Sequence, residues 1–288
     1  MGEAFNRLDP TAERVMIALA AFNRPVPPAA MDYLLQPFLP SVDSAPVLNR
    51  LVNMQFARRE AGRYHLHPVD REYAFNQVKS EKEKDKSRED NWTEHDLLTR
   101  AANYFRETRQ PRETWKTLDD LEPQLNEFDL RCAAEDYDTA ADLLSDIDFD
   151  YLQLWGHYRL LIQMYESIRE RMGDSSQKQR CLNELGLAYS SLGQTRIAIE
   201  RFQEAIQVAK NRNDKGYEGV LLGNLGLAYS ALGDTRRAIE FYERALAIAR
   251  EIGDKRGEGN HLGNLGLAYS ALGDTRRAIE FNERALAI

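Results

Sequence analysis

Cysteine is scarce. Two stand among 288 residues, Cys132 and Cys181, far apart and without metal-ligand spacing, so two reduced structural thiols are expected rather than a disulfide framework or a zinc site. No apolar run approaches a membrane span and the N-terminus carries no signal-peptide pattern, which points away from membranes and to the cytoplasm. Without such a signal, Asn91-Trp92-Thr93 carries no weight as a glycosylation acceptor. A phosphate-cradling loop needs Gly-rich backbone followed by Lys and Ser or Thr, and the glycines of 253–266 contain no such segment. Nucleotide hydrolysis by this chain alone is therefore not expected. The five histidines, at 65, 67, 95, 157 and 261, show no His-Glu-x-x-His spacing. Asp146, Asp148 and Asp150 alternate with Ile147 and Phe149, but no downstream Gly and Glu occupy the calcium-loop positions, so helix-capping acids are expected there. No catalytic residue and no metal site emerge, and the reading is of a non-enzyme. A net charge of -8 argues against nonspecific nucleic-acid binding. With 43% hydrophobic and 29% charged residues, the composition is that of an ordinary globular protein with room for two domains.

What the chain does have is repetition. Gly226 and Gly266 each open the block GLAYSALGDTRRAIEF, and Gly186 opens the diverged GLAYSSLGQTRIAIER, so one period of 40 residues runs through the C-terminal third. In the second unit Leu222, Leu225, Tyr229 and Leu232 form one apolar stripe, and Ala238, Tyr242, Ala245 and Ala249 form another, at helical intervals. Asp234 suits the N-cap of the second helix and Gly253 the left-handed position after it. One such hairpin cannot bury its apolar face alone and must stack on its neighbours.

These residues resemble the tetratricopeptide repeat. Gly226, Tyr229, Ala238, Tyr242 and Ala245 stand at its relative spacings, as do Gly186, Tyr189, Ala198, Phe202 and Ala205; Asn282 departs where Phe202 and Tyr242 stood. The usual period is about 34 residues, so the units look like the longer-helix variety of kinesin light chains and many bacterial signalling proteins. The resemblance implies that a protein or peptide lies along the first helices. Asn224 and Asn264 occupy the position of an Asn that grips a bound backbone, with Glu184 replacing it in the first unit; Ser190, Ser230, Ser270, Asn260 and His261 extend that surface. The alternative is that near-identical units simply repeat a solvent face. Ala285-Leu286-Ala287-Ile288 stops inside the second helix of its unit with no polar cap following, so a fragment of a longer parent is expected.

The N-terminal segment is organised differently. Val15, Ile17, Leu19, Ala20 and Phe22 carry a helical pattern over 11–22, Pro25, Pro27 and Pro28 break it, and short helices fit 29–36 and 45–54. Phe56 to Arg59 and Arg63 to Leu66 flank Glu60-Ala61-Gly62 as a hairpin, and a helix follows Pro68. Three helices and a two-stranded wing make a winged helix-turn-helix arrangement. Its recognition-helix candidate, Pro46 to Met54, offers only Arg50, and Glu60 sits among Arg58, Arg59 and Arg63, which is thin for DNA. Leu66-His67-Pro68, followed by Val69 to Ala74, resembles the Met-His-Asp motif of STAND-type nucleotide switches (NB-ARC and NACHT-like proteins). That resemblance implies that His67 contacts the β-phosphate of ADP in a parent carrying an NTPase domain, although Pro68 replaces the motif's Asp. A His that merely ends a strand is the alternative.

From Lys79 to Asp90 charge dominates, a solvated linker. Helical periodicity returns at His95 through Leu97, Leu98, Ala101, Tyr104 and Phe105, then Trp115, Leu118, Leu121, Leu125 and Phe128; Tyr137 to Ala141 resembles the start of a repeat's second helix, and Tyr151 to Met172 reads as one long helix. The expected fold is all-α: a winged-helix module (1–77), a charged linker (78–93), diverged helical repeats (94–178) and a right-handed α-α superhelix of tetratricopeptide units (179–288). The expected function is the sensing and regulatory arm of a signal-transducing switch. ADP or ATP enters only through an NTPase domain in cis. A DNA-binding regulator with a repeat sensor and a plain interaction scaffold are the alternatives.

Overall fold

A computed structural model describes residues 5, 8–84, 93–173 and 175–288, without the side chains of 78–84. The described residues fall into two compact units, Met1–Asp136 and Tyr137–Ile288.

The first unit opens with α1 (Pro10–Ala20), α2 (Pro28–Leu35) and α3 (Ser44–Asn53). Asp9 caps α1 by accepting from the Thr11 and Ala12 amides at 3.1 and 3.0 Å, and Pro10 adds a preset φ at the first helical position. Strands β1 (Ala57–Glu60) and β2 (Arg63–Leu66) pair antiparallel, Ala57 opposite Leu66. Ala61 and Gly62 both take positive φ, 48° and 80°, the backbone a two-residue hairpin turn requires. Val26 adds an isolated bridge to Tyr64, their amides and carbonyls exchanging bonds of 2.9 and 2.7 Å. Helix α4 (Pro68–Lys84) continues into the stretch read as a linker; residues 85–92 of that stretch lie outside the described residues.

Helices α5 (Glu94–Glu107) and α6 (Glu122–Ala133) belong to this same unit. Leu97, Leu98, Ala101, Ala102, Tyr104, Leu130 and Ala134 share one buried cluster with Val15, Leu19, Leu48 and Tyr64, so 94–133 joins the N-terminal core. Thr93 and Asp96 cap α5 reciprocally. A buried ion network ties α5 to α6: Glu127 takes Arg131 at 3.4 Å and also pairs with Arg109, while Arg131 reaches Asn103 at 2.7 Å and Asp136 at 3.3 Å.

The second unit begins with α7 (Tyr137–Ile147), a single π-type turn (Asp148–Gln153) and α8 (Tyr158–Arg169). The long helix expected over Tyr151–Met172 is therefore broken, because Gly156 turns the chain at φ 80°. Asp148 is no exposed cap either: it is buried and accepts from the Tyr165 hydroxyl at 2.5 Å. Then come α9 (Ser176–Ser191), α10 (Thr195–Asn211), α11 (Lys215–Ala231), α12 (Thr235–Ile252), α13 (Lys255–Ala271) and α14 (Thr275–Leu286), each packed on the next. This brings the described residues to fourteen α-helices, those from α9 onward forming a repeat superhelix.

The punctuation explains the regularity. Asp214, Asp234, Asp254 and Asp274 cap successive helices, each side chain accepting the amide three residues on. Gly253 takes φ 73°, the left-handed end the sequence indicated. At the hairpin crossings glycine is required by contact: a Cβ on Gly226 would stand 2.5 Å from Tyr242 Cε1, and Gly186 meets Phe202 in the same way.

Candidate functional site

The first helices of the repeats, α9, α11 and α13, present matched rows of side chains. Leu187, Leu227 and Leu267 form one row, and Leu227 and Leu267 are 49% and 69% exposed. Glu184, Asn224 and Asn264 form a parallel, half-buried polar row. Tyr229 and Tyr269, at 8% exposure each, are packed as their motif positions require, each stacked on a Phe of the following helix (Phe241 and Phe281) at 5.2 and 5.3 Å.

The row is not chemically uniform. Around Glu184 it is acidic and crowded: its carboxylate accepts from Asn183 at 2.9 Å and Gln153 at 3.2 Å. Burial, then the neighbouring Asp148, pushes the Glu184 carboxyl above the usual carboxylate range, with those two hydrogen bonds opposing. Asp148 is pushed up too, chiefly by burial. Tyr217, also strongly raised by burial, lies over the same corner.

One repeat further on, between α11 and α13, a cavity of about 490 Å³ opens. Asn224, Asn260, His261 and Asn264 line it together with Gly219, Gly223, Val220 and Leu227. His261 is 7% exposed and its Nδ1 is buried without a hydrogen-bond partner. Burial pushes its imidazole below the usual histidine range, and Asp254 opposes the shift. Of the side chains named from the sequence, Asn224, Asn264, Asn260 and His261 thus converge on one cavity. Glu184 lies one repeat earlier, and Ser230 and Ser270 are exposed near the helix ends and do not line the cavity.

In the first unit His67 is exposed, and its Nδ1 accepts from the Val69 amide at 3.4 Å, at the start of α4. It does not line the neighbouring cavity of about 500 Å³, which is bounded instead by His65, Arg71, Phe22 and Phe75. Arg71 is tied there by its Nε to the Ala20 carbonyl at 2.8 Å. Arg50, alone on α3, pairs with Asp9, and Arg63 of β2 pairs with Glu122 at 2.9 Å.

Two family models, both described as the tetratricopeptide repeat, match residues 179–212 and 217–288. The C-terminal units are tetratricopeptide repeats. The chain is also similar in structure to aspartyl phosphate phosphatase F from Bacillus subtilis, at 15% identity and a TM-score of 0.52 over 97% of this chain and 75% of that one. A second similar structure is a STAND protein with a tetratricopeptide-repeat sensor from Pyrococcus horikoshii, at 17% identity and a TM-score of 0.44 over 99% of this chain and 45% of that one. A third is the tetratricopeptide domain of Arabidopsis FLU, at 23% identity and a TM-score of 0.37 over 38% of this chain and 93% of that one. No curated protein matches the chain significantly.

Sequence reasoning missed the glycines of the tetratricopeptide cavity. By propensity alone Gly219 and Gly223 only weaken their helix, whereas in the fold Gly223 makes room for the His261 ring, whose Cε1 would lie 2.8 Å from a Cβ there, and a Cβ on Gly219 would lie 3.2 Å from Ile248 Cγ2. The signal was present in the alignment of the units with one another: the residues 40 positions earlier are Gln179 and Asn183.

Proposed function

We propose that this chain is the sensing and regulatory arm of a signal-transducing nucleotide switch, binding a protein or peptide along the first helices of its repeats. Helical repeats of this type serve protein–protein interaction, and their activity is recognition rather than catalysis. The observation that carries the reading is the exposed apolar row of Val220, Leu227 and Leu267 beside the amide row of Asn224 and Asn264. An apolar strip rimmed by groups that both donate and accept fits an extended polypeptide. In this reading residues 1–77 of the N-terminal unit are a winged-helix module, and the helices over 94–178 relay the repeats' movement to it. Binding moves the arm, and the module passes the movement to an NTPase domain with which it acts.

His67 is the proposed contact to bound ADP. The support is its place after the hairpin and before α4, in the sequence that resembles the Met-His-Asp motif, with its ring exposed. The DNA-binding alternative loses support from the charge pairing of Arg50 and Arg63. The groove reading is tested by quantitative capture of partners from the source organism with the intact chain and with Leu227→Glu/Leu267→Glu. Capture lost in the variant, and retained when exposed Arg236 on the second-helix side is changed to Glu, supports it; equal capture by both overturns it. The His67 reading is tested by ADP retention in the intact switch, where His67→Ala should release nucleotide and raise signalling without ligand.

A further inference from the structure

The repeats contain their own control for the cavity beside His261 at the α11–α13 interface, because the α9–α11 interface is built from the same positions 40 residues earlier. In the earlier interface Gln179 is 2% exposed and donates through Nε2 to Asp214 Oδ2 at 2.7 Å. Asn183 is 6% exposed and accepts from Asn224 Nδ2 at 2.8 Å. Tyr217 closes the corner, while Leu221 fills the floor and is fully buried. At the later interface the counterparts of Gln179, Asn183 and Tyr217 are Gly219, Gly223 and Gly257. Three side chains are missing: the His261 ring stands against Gly223 in the place of Asn183, Ile248 and Asp254 lie beside Gly219 and Gly257, and the open space that remains is part of the cavity of about 490 Å³.

The partners of the missing amides remain. Asp254 stands where Asp214 stood, its Oδ1 accepting from the Gly257 amide at 2.9 Å, as Asp214 Oδ1 accepts from Tyr217 at 3.0 Å. Asn264 stands where Asn224 stood and lines the cavity. The floor residue has changed from Leu221 to His261, which adds a buried nitrogen with no partner. A polar group so placed costs free energy until something bonds to it.

We propose that this cavity receives the side-chain carboxamide of a partner's glutamine or asparagine, seated where the Gln179 carboxamide sits one repeat earlier, beside Asp254 and the His261 ring. A carboxamide carries two N–H donors and one carbonyl acceptor. The donors match Asp254 and His261 Nδ1, and the carbonyl matches the Asn264 amide. A carboxylate of the same size meets Asp254 as a like charge, an alkyl side chain leaves His261 unpaired, and an ammonium offers Asn264 no acceptor. The neutral imidazole that burial favours suits an amide donor. The inference rests on the groove reading above, since the carboxamide arrives on a bound polypeptide.

The test is an NMR titration of the full chain with four probes: the N-acetyl methylamides of glutamine, glutamate, leucine and lysine. The glutamine probe should shift the Gly219, Gly223 and Asn264 amides and the His261 ring, with an affinity about tenfold above the other three. The double variant Gly223→Asn/His261→Leu restores the earlier interface's residues at these two positions and removes the imidazole; it should keep the wild-type melting temperature and lose the response. No response in the wild type, an equal or stronger response to any other probe, or a response that survives in the double variant overturns the proposal. If the titration fails while Leu227→Glu/Leu267→Glu still abolishes partner capture, the groove reading stands and the carboxamide site alone falls.

Discussion

Two residues of the same repeat array separate what packing demands from what electrostatics tunes. Tyr229 lies between helices, stacked on Phe241 with Arg237 5.4 Å above its ring centre. Tyr229→Ala should therefore lower stability by about 3 kcal/mol, the usual scale for emptying an aromatic site; a thermal melt with an unchanged midpoint would remove Tyr229 from the core. Glu184 acts through charge. Its carboxyl titrates above the ordinary value because burial and Asp148 both disfavour the anion, so the native state takes up a proton before the unfolded chain does. The resulting stabilisation is complete below the unfolded value of about 4.3 and is lost as pH rises through the raised folded value. Melts from mildly acid to neutral pH should fall in this window, and Glu184→Gln should flatten the fall, since Gln153 can reverse its amide to suit the new side chain. An identical slope in wild type and variant would assign the effect elsewhere. Tyr229 was legible because its spacing is a packing signal. The proton affinity of Glu184 was not, because it arises from burial and from Asp148, distant along the chain, both of which only the fold creates.

Elements were legible in proportion to how local their determinants are. The repeat helices follow from apolar stripes, Asp caps and glycines that all lie within one hairpin of each other, and the β-hairpin at 57–66 follows from Ala61-Gly62. The Tyr151–Met172 stretch carries a convincing helical pattern, yet Gly156 breaks it, and the preceding π-type turn sets Asp148 against Tyr165. Periodicity cannot see such a break, because the same apolar residues face the core on either side. Helices α5 and α6 misled in another way: their pattern is that of a helical hairpin, but which core they join is decided by contacts with Val15, Leu19 and Leu48. Their own lock is polar. Glu127 is 2% exposed between Arg109 and Arg131, so Glu127→Ala should cost roughly 3–5 kcal/mol by leaving buried guanidinium charge uncompensated. Denaturant unfolding monitored by far-UV circular dichroism would measure it, and a loss below about 1 kcal/mol, the scale of an exposed pair, would show that water reaches Arg131 readily.

At the scale of the whole molecule, charge sets the expectation for DNA binding, the measurement that separates the proposed sensor arm from a DNA-binding regulator. The chain carries a net charge of -8, and a duplex attracts a protein mainly through cations that displace its counterions. The hairpin unit spends two of its best-placed arginines internally, Arg50 on Asp9 and Arg63 on Glu122, while Glu60 sits in the strand with exposed Arg58 and Arg59. The full chain should therefore bind a mixed-sequence duplex of about 20 base pairs no tighter than about 10 µM at physiological salt, within the nonspecific range. Releasing the paired arginines with Asp9→Asn/Glu122→Gln should strengthen binding at low salt and steepen its salt dependence, because each freed guanidinium adds a phosphate contact. Fluorescence anisotropy at several salt concentrations measures both quantities. Submicromolar binding by the wild type that discriminates between sequences would instead make the hairpin unit a DNA reader and the tetratricopeptide array its ligand sensor; weak binding that rises only in the double variant would show that the fold holds these arginines for its own packing.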